Sequence, residues 1–219
     1  MKNKLVIFGL GDNAELAKFY FETDSQFEPV AFVVDAKYKD SEDFCGMPVV
    51  DFESIVASYP PEEYHIFIAV GYTDMNSVRE SKYNQAKELG YKFANYISSR
   101  ATVLTNEIGD NNFILEDNTI QPFVKIGNNN VIWSGNHIGH HGSIGNHCFI
   151  TSQVTISGRV DVSDNCFLGV NSTFRDDIRI AYKTLVGAHA WISKSTQEYD
   201  VFVPQSTKLF PKKSNELKI

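Results

Sequence analysis

From Ile108 onward a large apolar residue returns at every sixth position without a slip: Ile108, Ile114, Ile120, Ile126, Ile132, Ile138, Ile144, Ile150, Ile156, Val162, Leu168, Phe174, Ile180, Val186 and Ile192. If about half of residues are apolar, such a run arises by chance roughly once in thirty thousand trials, or once in about five thousand over six registers. Gly follows the anchor at 109, 127, 139, 145, 169 and 187, and Asn crowds the gaps at Asn111-Asn112 and Asn128-Asn129-Asn130. Both residue types tolerate left-handed backbone angles, so the pattern predicts a tight corner in each repeat. A six-residue unit buries nothing alone, whereas stacked units place their anchors on a shared axis. Three short strands and three corners close a coil of about eighteen residues, and coils stack at the ~4.8 Å spacing of paired strands. The expectation is a parallel β-helix of triangular section with about five coils.

The first half has a different rhythm. Leu5–Phe8, Val30–Val34, Ile66–Val70 and Phe93–Ile97 are short apolar strands, and helical periodicity marks Ala14–Thr23, Asp51–Ser58 and Thr73–Leu89. Pro60-Pro61 stops the second helix and Gly90 caps the third. This alternation predicts an α/β, Rossmann-like unit with a parallel sheet covered by helices. The chain divides into residues 1–97 (Rossmann-like), 98–197 (β-helix) and 198–219, a tail expected to pack back or to meet a neighbouring chain.

Gly9-Leu10-Gly11-Asp12-Asn13-Ala14 fits G-x-G-x-x-A, and Asp35 closes the second strand twenty-one residues after Ala14. That is the outline of a dinucleotide fingerprint. Asp12 argues against NAD, because it puts negative charge where a pyrophosphate would rest; it is expected to cap the helix instead. The balance of charge narrows the partners further. Lys and Arg number 20 against 27 Asp and Glu, a formal charge of -7. Such acidity argues against a broad nucleic-acid or anionic-membrane surface. No stretch approaches the ~18 apolar residues of a membrane span. Leu5–Leu10 is too short for a secretory signal. Cys45, Cys148 and Cys166, odd in number and far apart, suit packed thiols in a reducing cytoplasm.

The hexads behind an α/β domain resemble the left-handed β-helix acyltransferases of the hexapeptide-repeat family. Within it they are similar to the bacterial sugar acetyltransferases that modify nucleotide-linked amino sugars or sialic acid. The resemblance implies a left-handed coil, a cytoplasmic homotrimer, acetyl-coenzyme A as acyl donor, a place in cell-surface polysaccharide synthesis, and no metal. It also implies that the third residue of Ile138-Gly139-His140-His141-Gly142-Ser143 is the general base, which makes His140 the candidate. The next position, often Glu in relatives and there orienting the base, is His141.

The chemistry fits these residue types. Acyl transfer to an amine needs a base that titrates near neutrality, and unperturbed His does so near ~6.5. The tetrahedral oxyanion needs a fixed donor, and the two substrates must be held together. An eighteen-residue coil stacks Pro122, His140, Gly158 and Asp176 in one column, so the Gly158 N–H is the expected oxyanion donor. The resemblance implies acetyl-CoA along the later coils, at Gly158, Gly169, Gly187 and Ala188, with Lys208 beyond. It implies the nucleotide sugar at Gly9, Gly11, Asp12, Asp35, Lys37, Gly71 and Tyr72. Asn76 and Arg79 lie nearby as expected polar or phosphate contacts, and Trp133, Ser134 and Asn136 are expected to line the acceptor site.

Two other activities use the same residues: O-acetylation of a sugar or sialic acid hydroxyl, and a non-catalytic scaffold. A third, metal ligation by His137, His140 and His141, is disfavoured. No two histidines are separated by four residues, and adjacent His140 and His141 should point to opposite sides of a strand. His65, His147 and His189 are expected to be structural or solvated.

Overall fold

The computed structural model describes residues 2–217; Met1 of the first expected domain and Lys218 and Ile219 of the expected tail lie outside the described residues. The N-terminal half contains β1 (Asn3–Phe8), α1 (Asp12–Thr23), β2 (Phe27–Val34), β3 (Asp43–Phe44), β4 (Met47–Asp51), α2 (Ile55–Ser58), β5 (His65–Ile68), α3 (Ser77–Glu88) and β6 (Lys92–Phe93). The sheet order is β3-β4-β2-β1-β5-β6. All neighbours are parallel except β3 and β4.

Alternate residues of β1 enter two cores, as the two-residue period of a strand requires. Leu5 and Ile7 face α1, with Ala14, Ala17 and Phe21. Val6 and Phe8 face α3, with Tyr83 and Ala86. Burial on both sides explains why β1, β2 and β5 read as continuous apolar runs. The third helix begins later than its periodicity suggests. Asp74, Met75 and Asn76 take positive φ of 51°, 47° and 68°, which postpones the helix to Ser77. Asp12 does not cap α1. Gly11 is the N-cap residue, and Asp12 is the first helical residue, where its charge complements the helix dipole.

The expected fourth strand, Phe93–Ile97, is two strands. Lys92–Phe93 completes the first sheet, whereas Tyr96–Ile97 pairs with Phe113–Ile114 in a different sheet. From there the chain winds over three parallel faces. The first carries Phe113–Ile114, Val131–Ile132, Phe149–Ile150, Phe167–Leu168 and Leu185–Val186. Val201–Phe202, from the tail segment, joins the same face beside Leu185–Val186. The second face includes Thr119–Ile120, His137–Ile138, Thr155–Ile156 and Thr173–Phe174. The third has Lys125–Ile126, Ser143–Ile144, Asp161–Val162 and Arg179–Ile180. Partners lie eighteen positions apart, as in Thr119↔His137, Val131↔Phe149 and Ser143↔Asp161.

The anchors from Ile114 to Ile192 form one buried core, with Ile108 packed at its edge. Ile144, Ile150 and Ile156 are 2%, 0% and 1% exposed. Each such side chain contributes about 1.5–3 kcal/mol by leaving water. The corners depart from expectation in an instructive way. The left-handed residue is the third after each anchor: Asn111, Asp117, Phe123, Asn129, Gly135, His141, His147 and so on to His189. The glycine after the anchor serves another purpose. A Cβ at Gly127, Gly139 or Gly169 would meet the backbone of the next coil at 2.6 Å. Asn side chains satisfy the corner backbone instead: Asn118 Oδ1 accepts from Asn136 N at 3.1 Å, and Asn136 Oδ1 accepts from Val154 N at 2.7 Å.

The outer side of the first face is not solvated. Phe113, Val131 and Phe149 join the α1-side core with Phe21, Phe67 and Tyr96, so the two halves share apolar packing. Arg79 locks α3 onto the corner beside that face. It is 0% exposed and donates to the carbonyls of Gly71 (2.7 Å), Asn129 (3.2 Å), His147 (2.7 Å) and Cys148 (3.1 Å). Burial lowers its pKa to about 10, which leaves it charged at neutral pH.

Candidate active site

His140 and His141 occupy the corner between the second and third faces, where both are exposed. His140 is fixed through its backbone, whose N–H donates to Gln121 Oε1 at 3.0 Å and whose carbonyl accepts from Arg159 N at 2.8 Å. The two rings do not diverge as strand alternation predicts. His141 has φ +58°, which turns its ring back, and the two Nδ1 atoms lie 3.1 Å apart. Gly158 borders the same imidazole one coil later. A Cβ there would stand 2.8 Å from His140 Cε1 and 2.9 Å from Nε2. Among the described residues, the Gly158 N–H and His140 Nε2 have no protein hydrogen-bond partner. An unpartnered imidazole nitrogen and an unpartnered backbone donor therefore border one open corner. His147, in contrast, is buried against Asn129 Nδ2 at 2.8 Å, and burial pushes its pKa down.

A second site lies at the carboxyl ends of β1, β2 and β5, where the strand order reverses. This is the usual ligand position in an open α/β sheet. A cavity of about 410 Å³ opens there, lined by Gly9 to Asn13, Val34, Asp35, Tyr38, Ala69 to Gly71, Val78 and Lys82. Gly9 takes φ +127° and runs close to the Ala69 carbonyl, which makes the tight turn under the cavity. Lys82 Nζ donates to Asp35 Oδ1 at 2.5 Å and to Gln85 Oε1 at 3.0 Å. Lys82 was not legible as a site residue, because its partner is 47 positions away.

Several expected contacts fall elsewhere. Lys37 does not line the cavity; its Nζ lies 4.7 Å from the Tyr38 ring centre. Tyr72 leaves the cavity and packs on Phe149 and Phe167, each at 5.0 Å. Arg79 and Asn76 are buried clamps rather than phosphate contacts, and Asn76 Nδ2 donates to the carbonyls of Asn165 (3.1 Å) and Cys166 (3.2 Å). Asn136 is buried in its corner, and Ser134 Oγ donates to Glu116 Oε1 at 2.7 Å. Trp133 packs beside Phe149 with a buried indole N–H that has no partner. Gly169 is buried against Ala188 one coil later, Gly187 N donates to Phe202 O at 2.8 Å, and Ala188 and Lys208 are exposed. Among the described residues, no group of three or more His, Cys, Asp or Glu is arranged to hold a metal ion, and no helix is long and apolar enough to cross a membrane.

Residues 107–140 match the family model described as bacterial transferase hexapeptide (six repeats). These are hexapeptide repeats. The hexapeptide-repeat fold extends over the whole β-helix and is shared with solved structures. The acetyltransferase domain of PglB from Neisseria gonorrhoeae FA1090 superposes with a TM-score of 0.79 at 19% identity, covering 91% of this chain and 96% of that one. PerB from Caulobacter crescentus, solved with CoA and GDP-perosamine, gives 0.77 at 22% identity over 90% and 92%. WeeI from Acinetobacter baumannii AYE gives 0.59 at 20% identity over 90% and 94%. At such identities the likeness is one of fold. No curated protein matches the chain in sequence.

The hexapeptide-repeat half and the cavity are related by a simple topology. The N-terminal half covers the first face, and His140 stands on the corner opposite that face. The cavity lining includes no residue of the β-helix.

Proposed function

We propose that this chain transfers an acetyl group from acetyl-CoA to the amine of a nucleotide-linked amino-deoxy sugar. In this reading a Rossmann-like domain binds the nucleotide sugar, and a left-handed β-helix of about five coils supplies the chemistry within a homotrimer. The observation that carries the reading is the unpartnered Nε2 of His140 beside Gly158, whose N–H is likewise unpartnered. The fold shared with PerB, solved with CoA and GDP-perosamine, supports it.

The ammonium form of the acceptor first loses a proton to water. As the amine nitrogen bonds to the thioester carbon, His140 Nε2 takes a second proton, and the Gly158 N–H holds the oxyanion. Collapse breaks the carbon–sulfur bond, and the imidazolium returns its proton to the leaving thiolate. The products are an amide and free CoA thiol, with no acyl-enzyme. Gly169, Gly187, Ala188 and Lys208 are the proposed contacts of the coenzyme. Gly9, Gly11, Asp12, Asp35 and Gly71, around the cavity, are those of the nucleotide. Because the His140 corner is opposite the covered face, the sugar held by one subunit is offered to the imidazole of a neighbour.

Incubation with acetyl-CoA and a panel of nucleotide sugars, followed by free-thiol release, tests the reading. Thiol release is expected with amino sugars. Release only with hydroxyl sugars would move the acceptor to oxygen, and release with none would refute the reading. Gly158→Ala places a methyl against the imidazole, and displacement of the base by about 1 Å lowers kcat on the order of 10²-fold. Steady-state kinetics on variant protein with unchanged circular dichroism checks this.

A further inference from the structure

We infer that the corner between the third and first faces is an acid-sensitive latch between the two halves, with His147 as its sensing rung. The inference does not depend on the reaction proposed above.

The left-handed slot of this corner holds Asn111, Asn129, His147 and Asn165 in successive coils, all of them buried. Asparagine suits a left-handed backbone, and its amide both donates and accepts; His147 interrupts the series. The direction of the hydrogen bonds along this column is set from one end. The Ile68 N–H, at the carboxyl end of β5, donates to Asn111 Oδ1 at 2.8 Å. A backbone N–H only donates, so Asn111 presents its oxygen there and its Nδ2 to the next rung. Asn111 Nδ2 donates to Asn129 Oδ1 at 2.7 Å, and Asn129 Nδ2 then faces His147 Nδ1 at 2.8 Å. His147 Nδ1 is therefore the acceptor, and the proton of the neutral ring is on Nε2.

A further proton on His147 goes to Nδ1 and sets a donor against a donor. Turning the Asn129 amide over moves the conflict to Asn111, and turning Asn111 over moves it to Ile68, whose N–H has one direction. The charged groups around the ring do not compensate. From α3 come Arg79, Glu80 and Lys87. Glu80 Oε1 lies 3.9 Å from Nε2, and its Oε2 accepts from Asn165 Nδ2 at 2.9 Å. Arg79 Nη2 donates to the His147 carbonyl at 2.7 Å. The next coil brings Asp164, and the Tyr83 ring, whose hydroxyl donates to Asp110, lies 5.6 Å away. Lys183, two coils on in the same slot, donates to Ser77 Oγ at 2.8 Å. Burial, aided by Arg79 and Lys87, outweighs Glu80 and Asp164, so the imidazole is harder to protonate than in water.

The latch reaches the N-terminal cavity. Val78 and Lys82 of its lining belong to α3, and Arg79 also holds the carbonyl of the lining residue Gly71. Below the ordinary histidine value of ~6.5 the unfolded chain binds the His147 proton, whereas the folded chain does so only at lower pH. The stability that the latch contributes is complete above ~6.5 and is lost as the pH falls.

Nitrogen-15 NMR of the full chain and denaturant unfolding between about pH 5 and pH 8 test the latch. His147 is expected as the Nε2–H tautomer near neutrality, titrating below ~6.5. His147→Asn completes the asparagine column: its Oδ1 accepts from Asn129, its backbone suits the slot, and it does not titrate. The unfolding constant of wild type relative to His147→Asn should grow by up to about tenfold per pH unit as the pH falls below ~6.5, and should be level above it. An Nδ1–H tautomer, a titration at or above ~6.5, or a ratio that does not change with pH would overturn the inference. The first two readouts use wild type alone, so they decide the matter even if the variant does not fold.

Discussion

His140→Ala is expected to lower turnover by 10²–10⁴-fold, the usual contribution of a positioned general base, while acetyl-CoA binds as tightly as to wild type. The separation of the two effects follows from the geometry. The imidazole is exposed, and its Nε2 makes no hydrogen bond with the described residues. It contributes little to the folded state, so the thermal midpoint should stay within about 2 °C of wild type. The proposed coenzyme contacts are mainly at later coils, and their main-chain groups are untouched by the substitution. Calorimetry gives the donor affinity and thiol release gives the turnover. Retained turnover would refute the base assignment.

Arg79→Ala should be strongly destabilising although it lies outside the β-helix core. The guanidinium is fully buried and spans from α3 to the corner beside the first face. Its removal leaves the carbonyls of Gly71, Asn129 and His147 without this donor and opens a cavity the size of the side chain. Each buried carbonyl left unsatisfied costs about 1–3 kcal/mol. A total near 4 kcal/mol or more corresponds to a fall in thermal midpoint of about 10 °C or more for a chain of this size. Arg79→Lys, with donors on a single nitrogen, should lose an intermediate amount. Differential scanning calorimetry compares the three proteins; equal midpoints would mean that the clamp contributes nothing.

The β-helix was legible because its core is one-dimensional. Each anchor from Ile114 to Ile192 packs on anchors eighteen positions away, so sequence period and spatial period coincide. The corners were legible only in part. The left-handed slot accepts Phe123, His141 and Arg159 as well as Asn, and composition alone does not mark it. The glycines reported the close approach of successive coils, a relation between chain segments rather than a local angle. Contacts between the halves left no local trace. Arg79 reaches Asn129 fifty positions away, and Asn76 reaches Asn165 eighty-nine positions away, so both read as polar or phosphate contacts of a nucleotide rather than as clamps between the halves. The relative direction of the His140 and His141 side chains was misread for a definite reason: the alternation of a strand does not apply where the second residue turns to positive φ.

Whether one subunit's imidazole serves the sugar of the next is read from mixed oligomers. Gly11 lines the N-terminal cavity and a Cβ there meets no atom within 4 Å, so Gly11→Phe adds a ring at the cavity mouth without a backbone clash. Alone, it should be as inactive as His140→Ala. Co-expressed in equal amounts, the two variants should recover about a quarter of wild-type turnover, because a site then needs an intact imidazole from one subunit and an intact cavity from another. Mixed oligomers that stay as inactive as their parents at every ratio would contradict transfer between subunits.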